Sequence, residues 1–162
     1  MEAPPEVRLD LGLTDDGGAS PSKAGQPYTH NPMTQYVHGA FEVKVAPQAH
    51  VDGIGDPAIG RMSLDKQFHG DLEATSLGQM IAHRTAVDGS AGYVAMERVV
   101  GTLAGKRGTF VLQHSSTMAR GTAQQSITVV PDSGTDELIG LSGSMTITIV
   151  DKTHFYDFTF SL

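Results

Sequence analysis

The chain has 162 residues, a formal net charge of −7 and no cysteine. This length suits a single domain with one hydrophobic core. The negative charge argues against nucleic acid or an anionic membrane as a partner, because both require basic surfaces. The lack of cysteine excludes disulfides, thiolate catalysis and cysteine-ligated metal centres. No apolar run reaches the roughly 18–20 residues of a membrane helix. The start, MEAPPEV, has neither the basic nor the apolar region of a secretory signal. We therefore expect a cytoplasmic protein.

Residues 1–37 are predicted to form an irregular N-terminal arm or lid. Five of the eight prolines lie in this segment, and its composition is typical of chain without regular secondary structure. Residues 7–13 are an exception, since apolar and polar residues alternate there as in a strand that pairs with a sheet edge. Two interpretations stay open, a leader without function and a lid or strand exchanged between subunits.

From residue 38 to residue 162 the sequence predicts one strand after another. The expected strands cover residues 38–46, 61–73 and 75–87, a hairpin over 91–118, and then 122–130, 138–150 and 154–162. No segment has the 3.6-residue apolar period of a helix. The predicted fold is all-β, an eight-stranded antiparallel up-and-down barrel over residues 38–162. A two-sheet sandwich is the alternative.

The hairpin over residues 91–118 carries the most suggestive pair of side chains. If Gly105 and Lys106 form its two-residue loop, Glu97 lies directly opposite His114. Because strand side chains alternate between the two faces, the same face also carries mostly apolar residues. These are Tyr93, Val99, Phe110, Leu112 and Met118.

Three other registers are predicted from turn positions. Pairing across Gly89 and Ser90 places Ala82 opposite Glu97. Pairing across the 131–137 loop matches Ile127 with Leu141, and pairing across Asp151 and Lys152 matches Ile147 with Tyr156 and Met145 with Phe158. Each keeps apolar residues on one face, as a closed barrel requires.

The connection between the second and third strands, expected near Ala74, allows two registers. One places Phe68 and Leu72 inside, and the other places His69 and Asp71 inside. We favour Phe68 and Leu72, because an apolar lining needs no desolvation of polar groups.

Glu97 and His114 are the candidate catalytic residues. A carboxylate beside an imidazole holds its tautomer and raises its basicity, which makes a general acid–base unit near neutral pH. The structural alternative is a buried polar pair whose members only satisfy each other. Substrate contacts are predicted for inward-facing residues, with Arg84 placed diagonal to Glu97 or at the barrel mouth. The full set is Tyr93, Arg84, Val99, Phe110, Leu112, Met118, Met145, His154, Tyr156 and Phe158.

Other catalytic or metal-binding patterns are weaker. His69 and Asp71 share a strand face, but two ligands make a poor metal site. Ser115 points away from His114, so a serine nucleophile activated by that imidazole is not expected. The sequence predicts neither a metal nor a cofactor.

Several segments resemble a known family. They are Gly-Ser-Ala-Gly-Tyr at 89–93, Phe-Val-Leu-Gln-His at 110–114, Val-Val-Pro-Asp-Ser-Gly-Thr at 129–135 and the continuation at 137–145. Together they resemble an uncharacterised bacterial domain family of the allene oxide cyclase-like, or dirigent-like, barrel superfamily, over residues 38–162. The resemblance implies an eight-stranded barrel with a hydrophobic lumen. Characterised members are cofactor-free cyclases or steering proteins.

The function expected from the sequence is a cofactor-independent cyclase or isomerase. It would act on a hydrophobic small molecule in the lumen, with Glu97 and His114 moving a proton. A non-catalytic ligand-binding barrel and a structural oligomerisation barrel remain alternatives. The expected partners are a small apolar molecule and a second copy of the chain in a homo-oligomer, with no nucleic acid and no membrane.

Overall fold

The computed structural model describes residues 33–162. The predicted arm, with its alternating stretch at 7–13, lies almost wholly outside the described residues. The first strand begins at Gln35, so the last three residues assigned to the arm belong to the barrel instead. Gln35, Val37 and Gly39 occupy alternate positions on the inner face of this strand. The strand therefore begins three residues earlier than predicted.

Eight strands close into an antiparallel barrel in which each pairs with its neighbours in the sequence. The prediction of an all-β, eight-stranded up-and-down barrel is therefore confirmed. A single turn of 3₁₀ helix, Asp136–Leu138, is the only helix among the described residues. The strands are β1 (Gln35–Pro47), β2 (Gly60–Gly70), β3 (Leu72–Arg84), β4 (Ala91–Leu103), β5 (Lys106–Ala119), β6 (Thr122–Val129), β7 (Ser142–Val150) and β8 (Thr153–Ser161).

The β4–β5 turn is displaced by one residue from its predicted position. Leu103 pairs with Lys106, so Ala104 and Gly105 form the loop, with φ angles of 48° and 80°. A two-residue hairpin turn of this type requires positive φ at both positions. The predicted register was therefore wrong by two residues, and His114 lies opposite Ala95 rather than Glu97.

Two further registers were wrong by four residues, because the connecting loops are longer than the turns assumed. Gly78, not Ala82, lies opposite Glu97; residues 85–90 form a loop closed by the Thr85 amide donating to the Ser90 carbonyl at 3.1 Å. Ile127 lies opposite Met145 rather than Leu141, because residues 131–141 form a loop across one end of the barrel. The predicted pairing of Ile147 with Tyr156 and Met145 with Phe158 is confirmed.

The end of the barrel beneath the 131–141 loop is closed by packed side chains. Phe68 and Leu72 are buried there, as predicted, although the strands turn at Asp71 and not at Ala74. Leu138 and Leu141 from the loop complete the packing. Each large apolar side chain buried in this way stabilises the fold by about 1.5–3 kcal/mol. We call this region the closed end; its main residues are Phe68, Leu72, Leu103, Phe110, Leu138, Leu141, Phe158 and Phe160.

The opposite end is open, and we call it the mouth. Val45, Met118 and Ile149 occupy inward-facing positions there, yet they are 47%, 38% and 64% exposed. The mouth also borders the weakest seam, since β6 and β7 share only two paired positions. Gln125 on β6 bridges this seam, because its side-chain amide donates to and accepts from the backbone of Ile147 at 3.0 and 2.9 Å.

Among the described residues, no helix is long and apolar enough to cross a membrane.

Candidate functional site

A layer of four polar side chains separates the closed end from the mouth, and Glu97 lies at its centre. Oε1 of Glu97 accepts hydrogen bonds from Lys66 Nζ and from His114 Nε2, each at 2.8 Å. Oε2 accepts a third, also 2.8 Å long, from the Ser76 hydroxyl. All four residues are buried. We call this group the polar cluster: Lys66 on β2, Ser76 on β3, Glu97 on β4 and His114 on β5.

The register of the barrel brings these four side chains together. Lys66 pairs with Ser76, and Gly78 pairs with Glu97. Gly78 leaves room for the carboxylate side chain, because a Cβ at this position would lie 2.6 Å from the Cβ of Glu97 and 2.5 Å from the Met96 carbonyl oxygen. His114 lies two residues beyond Leu112, the β5 residue that pairs with Glu97, and is therefore diagonal to Glu97. Diagonal residues on one face of an antiparallel pair are within reach of long side chains, so the predicted contact survives the wrong register.

The carboxylate of Glu97 stays ionised. Burial alone raises its pKa, but the hydrogen bond from His114 and the positive charge of Lys66 outweigh burial and lower the pKa from 4.5 to about 2. The Lys66 ammonium also lies 5.1 Å from the centroid of the Phe41 ring and 5.7 Å from that of Phe68. These aromatic faces stabilise a cation that has left water.

The tautomer of a neutral His114 follows from its partner. An ionised carboxylate only accepts hydrogen bonds, so Nε2 of His114 carries the proton that bridges to Glu97. Nδ1 has no hydrogen-bond partner among residues 33–162. Every fully buried side-chain nitrogen or oxygen in this range has such a partner, so Nδ1 is not fully buried. Nδ1 therefore keeps access to open space, and its lone pair is free to accept a proton.

A cavity of about 640 Å³ occupies the mouth above the polar cluster. Its apolar lining includes three methionines, Met62, Met80 and Met118, whose flexible side chains adapt to ligands of different shape. Ser116 also lines the cavity and lies two positions beyond His114 on the same inward face of β5. Met80 lies opposite Ala95, which in turn lies opposite His114. His114 itself is not among the residues that line the cavity; Ser116 is the lining residue next to it on the inward face of β5.

Tyr93 supplies a polar group to this cavity. Burial raises the pKa of its hydroxyl, an effect that the Ser116 hydroxyl partly offsets and the charge of Glu97 reinforces. The hydroxyl of Tyr93 is therefore protonated at neutral pH and is able to donate a hydrogen bond to a ligand oxygen.

The predicted substrate-contacting residues divide between the two ends of the barrel. Tyr93, Met118 and Arg84 line the cavity in the mouth. His154 faces the interior from β8, with its ring centroid 5.1 Å from that of Phe41. The remaining six are at most 2% exposed. Packing against other side chains accounts for this burial, so that contact between these six residues and a ligand stays a prediction. They are Val99, Phe110, Leu112, Met145, Tyr156 and Phe158.

Arg84 is not diagonal to Glu97. It pairs with Ala91 at the last position of β3, six residues beyond Gly78, and its side chain is exposed at the rim of the mouth. The four-residue error in the β3–β4 register explains the difference. Of the two predicted positions for Arg84, the structure has the one at the mouth.

Sequence reasoning missed Lys66 and Ser76. The signal was present, because Lys66 alternates with Leu64 and Phe68 on the inner face of β2. Ser76 alternates in the same way with Leu72 and Ala74 on β3. A lysine at an inward position between two buried apolar residues requires a buried anion, and Glu97 is that anion.

His69 lies outside the barrel. Its Nε2 is 2.8 Å from a Glu42 carboxylate oxygen, and its Nδ1 is 3.6 Å from one of Glu73. Within the described part of the chain, no group of three or more His, Asp or Glu side chains is arranged to hold a metal.

A larger cavity, about 750 Å³, lies on the outer surface of β3, β4 and β5 and not in the lumen. The side chains that face it include Leu77, Ile81, Val94 and Met96, all exposed and outward-facing. Glu97 and His114 border this groove only from the far side of the sheet, because both side chains point inward.

Comparisons with known proteins define the family. The sequence profile of a family described as "Protein of unknown function (DUF3224)" matches residues 37–160, a range that includes the whole polar cluster. The chain is also similar to a solved protein of unknown function from the DUF3224 family of Shewanella oneidensis MR-1. The two are 48% identical, the alignment covers 80% of this chain and 98% of that one, and the TM-score is 0.74. No curated protein matches the chain.

Proposed function

The chain belongs to the DUF3224 family, and from this premise we propose that it binds an apolar small molecule in the mouth and transfers a proton to or from it through His114. The proposed activity is that of a cofactor-independent isomerase or cyclase. The observation that supports it most directly is the hydrogen bond between His114 Nε2 and the ionised Glu97, which leaves Nδ1 bare.

His114, and not Glu97, is the proposed general base. A carboxyl whose pKa is about 2 is too weak a base to take a proton from a ligand near neutral pH. Glu97 instead fixes the tautomer of the imidazole and stabilises the imidazolium formed when Nδ1 accepts a proton. Glu97 is thus a positioning residue in this proposal. The sequence predicted that both residues transfer the proton, and here only His114 does so.

Lys66 and Ser76 hold the carboxylate in place. The Lys66 ammonium balances the negative charge of Glu97, so the cluster is neutral when His114 is neutral. The Ser76 hydroxyl donates a hydrogen bond to Oε2, and Oε1 accepts those from Lys66 and His114. A carboxylate held in one geometry by three neighbours in turn holds the His114 imidazole, so that little free energy is lost to reorganisation during proton transfer.

The mouth provides the ligand site. Its volume of about 640 Å³ lies within the usual range of about 300–1,000 Å³ for small-molecule sites. Its lining is largely apolar, and Tyr93 offers a neutral hydrogen-bond donor. A ligand in the mouth would have to extend past Ser116 to bring its reacting group close to Nδ1.

The comparisons with known proteins show the DUF3224 family and not the allene oxide cyclase-like superfamily, so the resemblance of the sequence segments to that superfamily supports this proposal by analogy of fold alone. Its characterised members use an apolar lumen to fold a reactive substrate without a cofactor. That analogy concerns architecture, and the chemistry proposed here depends on the polar cluster of this chain.

Hydrogen–deuterium exchange tests the proton transfer without knowledge of the natural substrate. The protein is incubated in D₂O with a panel of cyclic ketones, and deuterium incorporated next to the carbonyl is measured by mass spectrometry. We expect His114→Gln to lower catalysed exchange by about 10²–10⁴-fold. His38→Gln is the matched control, because His38 is an exposed histidine on the outer face of β1. Exchange that is equal in wild type, in His114→Gln and in buffer would refute catalysis.

A non-catalytic carrier is the second candidate, and the methionine-lined mouth favours it. For a carrier, a neutral apolar fluorophore such as N-phenyl-1-naphthylamine would bind with equal affinity to wild type and to His114→Gln, and no ketone would exchange. A structural oligomerisation barrel predicts that the fluorophore does not bind at all.

A further inference from the structure

We infer that the ligand of the mouth is a weak acid, such as an enol or a phenol, which is held as its anion after its proton has passed to His114. This inference rests on the proposed function and adds the chemical class of the ligand. It follows from the charges enclosed by the barrel.

The polar cluster has no spare negative charge. Lys66 and Glu97 form an ion pair with 2.8 Å between Nζ and Oε1, and both side chains are at most 6% exposed. When His114 accepts a proton, the cluster changes from neutral to a net charge of +1. A buried net charge is costly unless an opposite charge lies close by.

The other side chains that face the interior near His114 do not supply this charge. On β4, Tyr93 is neutral at neutral pH, because burial raises its pKa. On β6, Ile127 lies opposite His114 and is apolar. Across the barrel on β8, the Tyr156 hydroxyl is neutral and is engaged with the backbone of Leu72 and His69, and His154 carries no negative charge in either protonation state.

The missing anion is therefore the deprotonated ligand itself. The step breaks an O–H or C–H bond of the ligand and forms an N–H bond at Nδ1 of His114. The electron pair stays on the ligand as a phenolate or enolate, which lies beside the imidazolium when the ligand extends from the cavity past Ser116 to Nδ1. Tyr93 is placed in the same cavity to donate a hydrogen bond to the anionic oxygen. A ligand without an acidic hydrogen would gain none of this stabilisation.

Two matched probes test this inference. 4-Nitrophenol is a weak acid whose anion absorbs visible light, and 4-nitroanisole is its methyl ether, which has no acidic hydrogen. Absorption spectra of protein-bound 4-nitrophenol are recorded below the pH at which the free probe ionises. We expect the anion spectrum in wild type. The acid ionisation constant of the bound probe should be at least about tenfold larger than that of the free probe, so that its pKa is lower by about one unit.

A pH indicator in weak buffer separates the two ways of forming the anion. If the proton moves to His114, binding of neutral 4-nitrophenol releases no proton to solvent while the anion spectrum develops. In His114→Gln we expect the bound probe to ionise as the free probe does, whereas the control His38→Gln behaves as wild type.

Each other outcome contradicts the inference. Release of one proton per bound probe would mean that the anion binds without charging His114. A neutral spectrum for bound 4-nitrophenol, with equal binding of 4-nitroanisole, would overturn the weak-acid inference but leave the proposed ligand site intact. Binding of neither probe, nor of N-phenyl-1-naphthylamine, would remove the proposed function as well.

Discussion

The two ends of the barrel use the same strands for different purposes. At the closed end the inward positions carry aromatic and leucine side chains that contact one another, with Phe110, Phe158 and Phe160 at successive ring distances of 5.9 and 5.4 Å. At the mouth the corresponding positions carry smaller or more flexible residues, and a cavity of about 640 Å³ remains. The polar cluster lies at the boundary. The closed end is therefore expected to contribute to stability by packing and the boundary by its ion pair, whereas the mouth leaves space for a ligand.

The largest expected effect comes from opening the closed end. Phe158→Ala removes a fully buried ring, and we expect unfolding free energy to fall by about 3–5 kcal/mol. Urea denaturation followed by circular dichroism measures this. A loss below about 1 kcal/mol would mean that this end is not the tightly packed half of the barrel.

Breaking the ion pair at the boundary should have the next largest effect. Glu97→Gln keeps the volume but leaves the Lys66 ammonium buried without its anion, which typically costs about 3–5 kcal/mol. Adding Lys66→Met removes the orphaned charge, so the double variant should regain most of the lost stability. If Lys66→Met gives no recovery in the Glu97→Gln background, the two residues are not coupled in solution.

The boundary should also respond to acid. The folded-state pKa of Glu97, about 2, lies below its ordinary value of 4.5. Its contribution is therefore complete above pH 4.5 and is lost as the pH falls towards 2, on the order of 3 kcal/mol in total. Unfolding measured across this pH range in wild type and in Glu97→Gln isolates the effect, because the variant lacks the titrating carboxyl. Identical pH dependence in both proteins would contradict the assignment.

A smaller effect is expected from crowding the boundary. Gly78→Ala places a methyl group where it would meet the Cβ of Glu97 at 2.6 Å, and such overpacking typically costs about 1–3 kcal/mol. Gly105→Ala is an informative contrast, since Gly105 has open space around it but a φ of 80°. The first variant should disturb the imidazole NMR signals of His114, and the second should leave them unchanged.

The smallest effect on stability should come from the mouth. Met118→Ala truncates a side chain that is 38% exposed, and we expect unfolding free energy to change by less than about 1 kcal/mol. Binding of N-phenyl-1-naphthylamine should weaken, because the side chain lines the cavity. Unchanged binding would place the fluorophore elsewhere, for example in the outer groove beside Met96.

Alternation along the strands made the fold and part of the site predictable. The three registers that were wrong differed by two or four residues, and an even shift leaves every side chain on its own face. Glu97 and His114 were therefore placed on the same face and within reach, although the turn at Ala104 and Gly105 was misplaced. The lengths of two loops could not be predicted. Residues 85–90 and 131–141 each contain several turn-forming residues, so the sequence does not show where the chain leaves one strand and enters the next.

The packing of one end of the lumen and the role of Lys66 were not predicted, and the reasons differ. Whether an eight-stranded barrel is filled depends on the fit of side chains such as Phe110 and Phe158 across the interior, which alternation along single strands does not describe. Lys66 was visible as an inward-facing lysine, but its partner Glu97 is two strands away across β3. The β2–β3 and β3–β4 registers must both be correct to bring the two residues together, and the predicted β3–β4 register was wrong by four residues.

The proposed proton transfer depends most on the protonation state of His114 at the boundary. A long-range ¹H–¹⁵N NMR correlation spectrum reports the tautomer of each imidazole, and His114→Gln identifies the signals of this one. At neutral pH we predict that Nε2 is protonated, that Nδ1 is bare, and that the Nδ1 signal shifts when 4-nitrophenol is added. An imidazolium with both nitrogens protonated in the free protein, or a bare Nε2, would contradict the proposal that His114 is a base held in place by Glu97.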